Sequence, residues 1–151
     1  MKILQAEDAV NGREGVATAT IDGRVVELME LSNITITVDK TKTEFKAMGQ
    51  RNTQNKTTGW KGTGKATVRY ISSRWAKMLQ TYAKTGKDTY FTIVVTNNDP
   101  GSATGKQVIQ VIGCNLDSLD LAKLDIDSEI LEQDVNFTFN DFNVLTAFKE
   151  I

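Results

Sequence analysis

The stretch Gly59-Trp-Lys-Gly-Thr-Gly-Lys-Ala-Thr-Val-Arg-Tyr70 indicates the fold class, because two kinds of side chain alternate along it. From position 60 onward, apolar or small residues occupy the even positions, and Lys, Thr or Arg occupy the odd ones. Successive side chains of a β-strand point to opposite faces, so we predict a half-buried strand with Trp60 and Tyr70 on its core side. Gly62 and Gly64 mark a bend or the close approach of another backbone.

The residues before this strand predict a hairpin and one more strand. Asp22-Gly23 separates two β-prone runs, VATATI (16–21) and RVVELM (24–29). An Asp-Gly pair in this position is a strong hairpin signal, because both central residues of the tight turn need positive φ. Apolar residues then alternate with Thr over 34–38, which predicts a second half-buried strand.

The residues after position 70 predict one helix and further strands. Apolar side chains recur at helical spacing from Trp75 to Tyr82, Ser72 or Ser73 can cap the helix, and Gly86 can end it. Residues 119–126 form a short amphipathic segment. Strands are predicted over 90–96, 106–116 and 131–139, and residues 142–151 should form a short strand or a helical turn. No repeat or linker divides the chain, so we expect residues 1–151 to form a single domain.

Residues 39–59 interrupt the strand pattern. Residues 39–44 are polar on both faces although they are β-prone, and residues 46–59 contain almost no apolar residue except Ala47 and Met48. A structureless loop longer than about 12 to 15 residues is uncommon in a compact domain unless it is functional or disordered. We therefore predict that 39–59 is a protruding arm, mobile in the free protein.

The composition argues against an enzyme, a secreted protein and a membrane protein. The sequence contains no His, which removes the commonest general base and a common metal ligand. The lone Cys114 excludes an internal disulfide and fits folding in a reducing cytoplasm. The sequence contains no run of 18 apolar residues, the length needed to span a bilayer, and its N-terminus lacks the apolar core of a secretion signal.

Charge is segregated along the chain although the net charge is only −1. Residues 40–74 contain nine Lys or Arg and one acidic residue, Glu44. Residues 117–141 contain eight Asp or Glu and one basic residue, Lys123. Such a distribution suggests attraction between copies, whereas two solvated faces or a pairing within one chain are the alternatives. Our hypothesis is that the basic arm of one subunit meets the acidic 117–134 region of the next. The proposed contact residues are Lys40, Lys42, Lys46, Arg51, Lys56, Asp117, Asp120, Asp125, Asp127 and Glu129.

Two motifs suggest a ligand-binding site, but each lacks features that such a site requires. Residues 59–66 nearly match a P-loop, but Ala66 replaces the Mg²⁺-binding hydroxyl, and a strand instead of a helix follows Lys65. The carboxylates from Asp125 to Glu129 alternate along one side of a segment that we predict to be extended. They lack the turn glycine of a calcium loop, so a solvated or partner-facing acidic stripe is the better interpretation.

Nucleic-acid binding is an alternative function for the basic 40–74 region. Lys and Arg side chains beside Trp60 and Tyr70 supply backbone contacts and stacking surfaces. The isoelectric point near 5.5 and the equally dense acidic region oppose this interpretation.

Five segments in a fixed order resemble the tail tube, or tail core, protein of contractile-tailed phages and of defective prophages of Gram-positive bacteria. Their order and joint presence carry the resemblance, which covers about two thirds of the chain from Gly59 onward. The segments are GWKGTGKATVRY (59–70), KTGKDTYFTI (84–93), NNDPGS (97–102), NLDSLDLAKLDID (115–127) and FTFNDF (137–142).

This resemblance implies a mainly β fold with one α-helix, a β-sandwich or partly closed barrel with a flanking helix and an extended arm. It implies hexameric rings that stack into a hollow tube inside a contractile sheath, with tape measure and baseplate proteins as further partners. DNA would pass through the lumen without specific binding. The protein would be made in the bacterial cytoplasm and reside in a virion tail or phage-like particle, without cofactor, metal, catalytic residue or membrane contact. A ring-forming tail terminator or baseplate component is the related alternative.

Overall fold

The computed structural model describes residues 3–150, which form an antiparallel β-structure with one α-helix. A 3-10 turn at Ala6–Asp8 precedes the first strand. The mainly β fold with a single flanking helix is confirmed. The strands are β1 (Gly15–Ile21), β2 (Arg24–Glu27), β3 (Leu31–Lys46), β4 (Thr53–Arg69), β5 (Phe91–Asn98), β6 (Lys106–Leu119), β7 (Glu132–Phe139) and β8 (Asp141–Thr146), and the helix is α1 (Arg74–Thr85).

The strands follow the order β2-β1-β5-β6-β7-β4-β3, with β8 attached to β6. The first part of β6 pairs with β5 on one side and β8 on the other, and its last part pairs with β7. β6 therefore belongs to two sheets that face each other across the core. The edge strands β2 and β3 do not pair with each other, so the barrel stays open.

The passage from one sheet to the other occurs at Gly113 and Asn140. Gly113 has a φ of 70°, and a Cβ at this position would lie 2.7 Å from the Asn140 Nδ2 atom. The backbone N–H of Asn140 donates to the Ile112 carbonyl at 3.0 Å. A side chain at position 113 would be excluded by both the backbone angle and the neighbouring asparagine, so glycine permits the corner.

The predicted hairpin and the predicted helix are both confirmed. Asp22 and Gly23 have φ angles of 51° and 79°, as the tight turn between β1 and β2 requires. α1 begins after Ser73 and ends at Gly86, whose φ of 75° places it in the left-handed region. The Gly86 amide donates to the Tyr82 carbonyl at 2.8 Å, which satisfies one of the last carbonyls of the helix.

The hydrophobic core lies between the two sheets and under the start of α1. Trp75 is buried against Phe91 with ring centroids 5.5 Å apart, and Phe91 packs on Phe137 at 6.0 Å. Val111 and Cys114 from β6 are fully buried beside them. These contacts attach the helix and both sheets to one core.

Two core assignments made from the sequence are wrong. Trp60 is 43% exposed and Tyr70 is 38% exposed, although both fall on the apolar side of the alternating stretch. Trp60 lies where the pairing of β4 with β7 has ended, and it packs edge-on against Phe142 at 5.4 Å. Tyr70 lies one residue beyond β4, where its hydroxyl donates to the Leu121 carbonyl at 3.3 Å.

The C-terminal half matches the predictions with small shifts. β6 continues to Leu119, three residues beyond the predicted end, and residues 141–146 form a strand, the first of the two predicted options. The amphipathic segment after Leu119 forms neither helix nor strand. No helix or strand therefore directs the apolar side chains of this segment toward the core.

Candidate assembly surfaces

Residues 39–59 form the outer part of a long β-hairpin that extends from the body. Asp39 to Lys46 of β3 pair with β4 residues between Thr53 and Lys61, and a register shift lies at Thr41 and Lys42. β7 pairs with β4 only from Gly62 onward, so beyond this point each arm strand has one neighbour within residues 3–150. Eight residues of an antiparallel strand span about 27 Å. The predicted arm is thus a two-stranded ribbon, and its mobility stays a prediction.

The predicted basic contact residues all lie on this arm. Each is exposed, and none forms a salt bridge in the described part of the chain, where the single ion pair joins Arg74 to Glu30 at 2.7 Å. They therefore have no carboxylate within ion-pair distance among residues 3–150. The residues are Lys40, Lys42, Lys46, Arg51 and Lys56.

The predicted acidic contact residues are also exposed, and they cluster around the loop between β6 and β7. Asp117 lies in the last part of β6, Asp120 follows it, and the other three, Asp125, Asp127 and Glu129, lie in the loop. The basic set thus lies along one hairpin, and the acidic set lies along the end of β6 and the loop that follows it. The acidic loop leads into β7 at Glu132, which pairs with Arg69, and the arm lies beyond Gly62 of the same strand. Seven strand residues correspond to about 23 Å, which separates the acidic loop from the arm along the sheet. Asp117 lies nearer the arm, beside Thr63 and Lys65.

The acidic loop is not the extended stripe that the sequence suggested. The Asp127 amide donates to Asp125 Oδ1 at 3.0 Å, and the Ser128 amide donates to the Asp125 carbonyl at 3.3 Å. Asp125 therefore closes a turn, a conformation that aspartate favours because its side chain can accept a local backbone hydrogen bond. Within residues 3–150, no three His, Cys, Asp or Glu side chains are grouped so that they could hold a metal ion.

The same loop exposes large apolar side chains that the sequence analysis did not single out. Leu124 and Ile126 are 98% and 100% exposed, and Leu121 and Ile130 are each 62% exposed. The repeated placement of Leu or Ile between acidic residues over 120–130 is the sequence signal that could have identified them.

An apolar groove opens where the two sheets diverge. It encloses about 320 Å³, with Asn97 and Gln107 as its polar members. It lies between the inner face of β3 and the strands β5, β6 and β8, on the side where the barrel is not closed. Its apolar lining consists of Ile34, Ile36, Val38, Val95, Ile109, Phe142 and Val144.

The stretch that nearly matches a P-loop lies entirely in β4. Its backbone pairs with β3 and, from Gly62 onward, with β7. The Lys65 side chain therefore stands on a sheet, with no helix N-terminus beside it to bind a phosphate. None of the helices formed by residues 3–150 has the length and apolar character needed to cross a membrane.

Comparison with known proteins gives the family. Residues 2–146 match the phage tail tube protein family. The chain belongs to this family. The resemblance inferred from the five sequence segments is thereby confirmed.

Other proteins are similar to this tail tube family member in sequence or in fold. Phage-like element PBSX protein XkdM of Bacillus subtilis (strain 168) is 38% identical over 141 residues, which are 93% of this chain and 93% of that protein. A chain in the cryo-EM structure of an extracellular contractile injection system, the PVC sheath/tube terminator in the extended state, has a TM-score of 0.72 and 7% identity. The match covers 94% of this chain and 100% of that chain. A chain of the PVC sheath-tube complex has a TM-score of 0.70 and 8% identity, covering 93% and 95%.

Proposed function

We propose that this protein is the structural subunit of a tail tube, in which six copies form a ring and the rings stack into a hollow conduit inside a contractile sheath. The family match supports the tube, and the relative from a phage-like element supports an origin in a phage or prophage. The similarity in fold to a chain of a sheath-tube complex supports the contractile setting. The role is structural and not enzymatic.

The exposed arm carries this proposal. Between Asp39 and Lys61 the two arm strands pair only with each other within the described chain, and nearly every side chain is exposed. An isolated two-stranded ribbon contributes little stability in water, and its unpaired edges favour addition of another chain. A long polar ribbon of this kind is therefore best explained as a contact element between subunits.

The charges indicate how the contact forms. The arm residues Lys40 to Lys56 and the loop carboxylates of 125–129 lie at opposite ends of the pairing between β4 and β7, so they pair between copies in a head-to-tail arrangement. Such a heterologous contact closes into a ring or continues as a filament, depending on its rotation. Exposed charges attract over about 8 Å at physiological ionic strength, so high salt weakens this contact.

The remaining partners follow from the same role. In the assembled particle the tube contacts sheath, tape measure and baseplate proteins, and DNA passes through its lumen without specific binding. The site of action is the tail of a virion or of a phage-like particle.

Removal of the arm tests the proposal. Replacing Lys42 to Thr58 by an Asn-Gly turn joins Thr41 to Gly59, which are direct partners in the ladder. We expect a folded monomer that forms no tubes in negative-stain electron microscopy, while the unaltered protein forms rods at high concentration and low salt. Circular dichroism and thermal melting of the variant show whether the body has kept its fold.

Two results would contradict the proposal at different levels. If the shortened protein still forms tubes, the arm is not the stacking element. If the complete protein stays monomeric at high concentration and low salt, even with a sheath or baseplate protein present to nucleate it, the tube function itself is wrong.

A tail terminator is the second candidate, because the same fold occurs in the PVC sheath/tube terminator structure. A terminator closes into one ring, and that ring does not lengthen as the concentration rises. Rods whose length increases with concentration therefore distinguish the tube subunit from a terminator.

A further inference from the structure

We propose that the loop 121–130 of one copy inserts Leu124 and Ile126 into the apolar groove between β3 and β8 of a second copy. This inference rests on the proposed tube function and names the contact that joins the subunits. The two surfaces belong to different parts of the same chain, so the contact is heterologous, and its rotation decides whether it closes a ring or continues from copy to copy.

The loop has the properties of an inserted element. Leu124 and Ile126 are 98% and 100% exposed, which leaves two large apolar side chains in water. Both ends of the loop are held to the body. The Leu121 carbonyl accepts from the Tyr70 hydroxyl at 3.3 Å, and the Leu131 carbonyl accepts from the Tyr70 amide at 3.0 Å. The turn closed by Asp125 holds the two apolar residues between these anchors. A presented loop loses less conformational freedom on binding than a free segment does.

The groove has a matching size and chemistry. Its volume of about 320 Å³ is lined mainly by aliphatic and aromatic side chains, and Asn97 and Gln107 are the two polar lining residues. A cavity of about 150 Å³ with a similar lining accommodates benzene, so the groove has room for two branched side chains. The subunit does not fill it with its own loop, because Leu124 and Ile126 remain in solvent. The groove is open at the edge of the barrel, so a segment of another chain can enter it.

Charge complementarity favours the acidic loop as the segment that fills the groove. Side chains alternate along β3, so the face that lines the groove with Ile36 and Val38 continues outward as Lys40. In the loop, Asp125 and Asp127 flank Ile126. When Ile126 lies in the groove, these carboxylates lie near the base of the basic arm, so the apolar contact and the charge contact form together.

The arm tip is the competing occupant. Phe45 and Met48 at the tip are exposed, at 46% and 103%. Lys46 and Arg51 lie beside these two residues in the sequence. If the tip entered the groove, Lys46 and Arg51 would bring positive charge next to Lys40. Like charges brought together oppose binding, so the tip fits this groove less well than the acidic loop does.

Substitutions on each surface test the contact. We expect Leu124→Ser with Ile126→Ser, and separately Val144→Asp, to raise the concentration needed for tube formation by about tenfold to a hundredfold. The matched controls are Val25→Ser with Ile71→Ser, two residues that are 72% and 73% exposed, and Val25→Asp, at an exposed strand valine outside the groove. All variants should keep the circular dichroism spectrum and melting temperature of the parent, because the altered side chains are exposed.

Cross-linking identifies the occupant directly. A protein carrying Ile126→Cys is mixed with one carrying Val144→Cys and treated with a short bis-maleimide. We expect a covalent dimer from this mixture and none when Val25→Cys replaces Val144→Cys, because Val25 lies on β2, outside the groove. The native Cys114 does not interfere, because it is buried in the core.

The outcomes separate this inference from the tube function. Tubes of normal stability from the loop and groove variants, or no dimer from assembling protein, would overturn the contact and leave the tube function standing. A dimer that requires Met48→Cys instead of Ile126→Cys would assign the groove to the arm tip. Failure of the parent protein to form rings or tubes would contradict the proposed function instead.

Discussion

Phe137 on β7 lies directly opposite Gly64 on β4, and its ring covers the side of the glycine where a Cβ would stand. Gly62 and Phe139 repeat the relationship one step along the same pair of strands. The glycines therefore provide space for two large rings, and the rings cover backbone that would otherwise be poorly packed. The close approach predicted from the two glycines is made by aromatic side chains and not by another backbone.

The first prediction concerns this packing. Gly64→Ala should destabilise the protein by about 1–3 kcal/mol, because the new methyl group overlaps the Phe137 ring in a closely packed core. Gly59→Ala is the control, since nothing lies within 4 Å of a Cβ built there, and it should change stability by less than about 0.5 kcal/mol. Urea unfolding followed by fluorescence measures both. Equal losses of stability in the two variants would show that the Phe137 ring does not fill the space where a Cβ of residue 64 would stand.

The second prediction concerns the ion pair that attaches α1 to the turn before β3. Arg74 Nη1 lies 2.7 Å from Glu30 Oε1, and the glutamate side chain is only 6% exposed. Arg74→Ala should cost about 1–3 kcal/mol, less than for a fully buried pair because the arginine is itself partly exposed. Lys77→Ala on the exposed side of the same helix is the control and should have a small effect. A melting temperature unchanged in both variants would contradict this role.

The third prediction concerns the thiol of Cys114. Burial raises its pKa to about 12 from an ordinary value near 9.0. Since only the thiolate reacts readily, we expect no modification by iodoacetamide at pH 8 in the folded protein and complete modification in urea. The folded state retains this proton at a pH where the unfolded chain has lost it, so the group's contribution to stability falls as pH rises from about 9 toward 12. Rapid labelling of the native protein would refute this.

The fourth prediction concerns the proposed pairing of opposite charges between subunits. Lys40→Glu with Lys42→Glu should prevent tube formation, as should Asp127→Lys with Glu129→Lys. Combining all four changes should restore it in part, because the contact regains opposite charges. Sedimentation of assembled protein at several salt concentrations measures the effect. Lys77→Glu with Lys84→Glu on the helix serves as the control, and failure of the fourfold variant to recover would argue against this pairing.

Local patterns made much of the fold predictable. The Asp22-Gly23 turn, the glycine at the end of α1 and the alternation from 60 to 69 were visible because each depends on the conformational preferences of nearby residues. The polar composition of 39–59 likewise identified the arm, since residues without apolar side chains cannot join a core.

Features that depend on distant pairing were not predictable. Trp60 follows the alternation of its strand, but it is exposed because β7 ends its pairing at Gly62. The arm residues form a ladder because β3 and β4 continue past the body, which polarity alone does not indicate. The loop after β6 resembled an extended acidic stripe, whereas a local hydrogen bond to Asp125 closes it into a turn.

The sequence by itself determined the strands, the single helix, the separation of charge and the family of this protein. Only the tertiary structure decided that β6 joins two sheets, that phenyl rings cover two glycines, and that an open groove and an exposed apolar loop lie on one subunit. Strand periodicity reports which side of a strand is apolar, but the partner that covers that side depends on packing between residues far apart in the chain. Here part of that apolar surface has no partner within residues 3–150, and we assign its cover to a second copy.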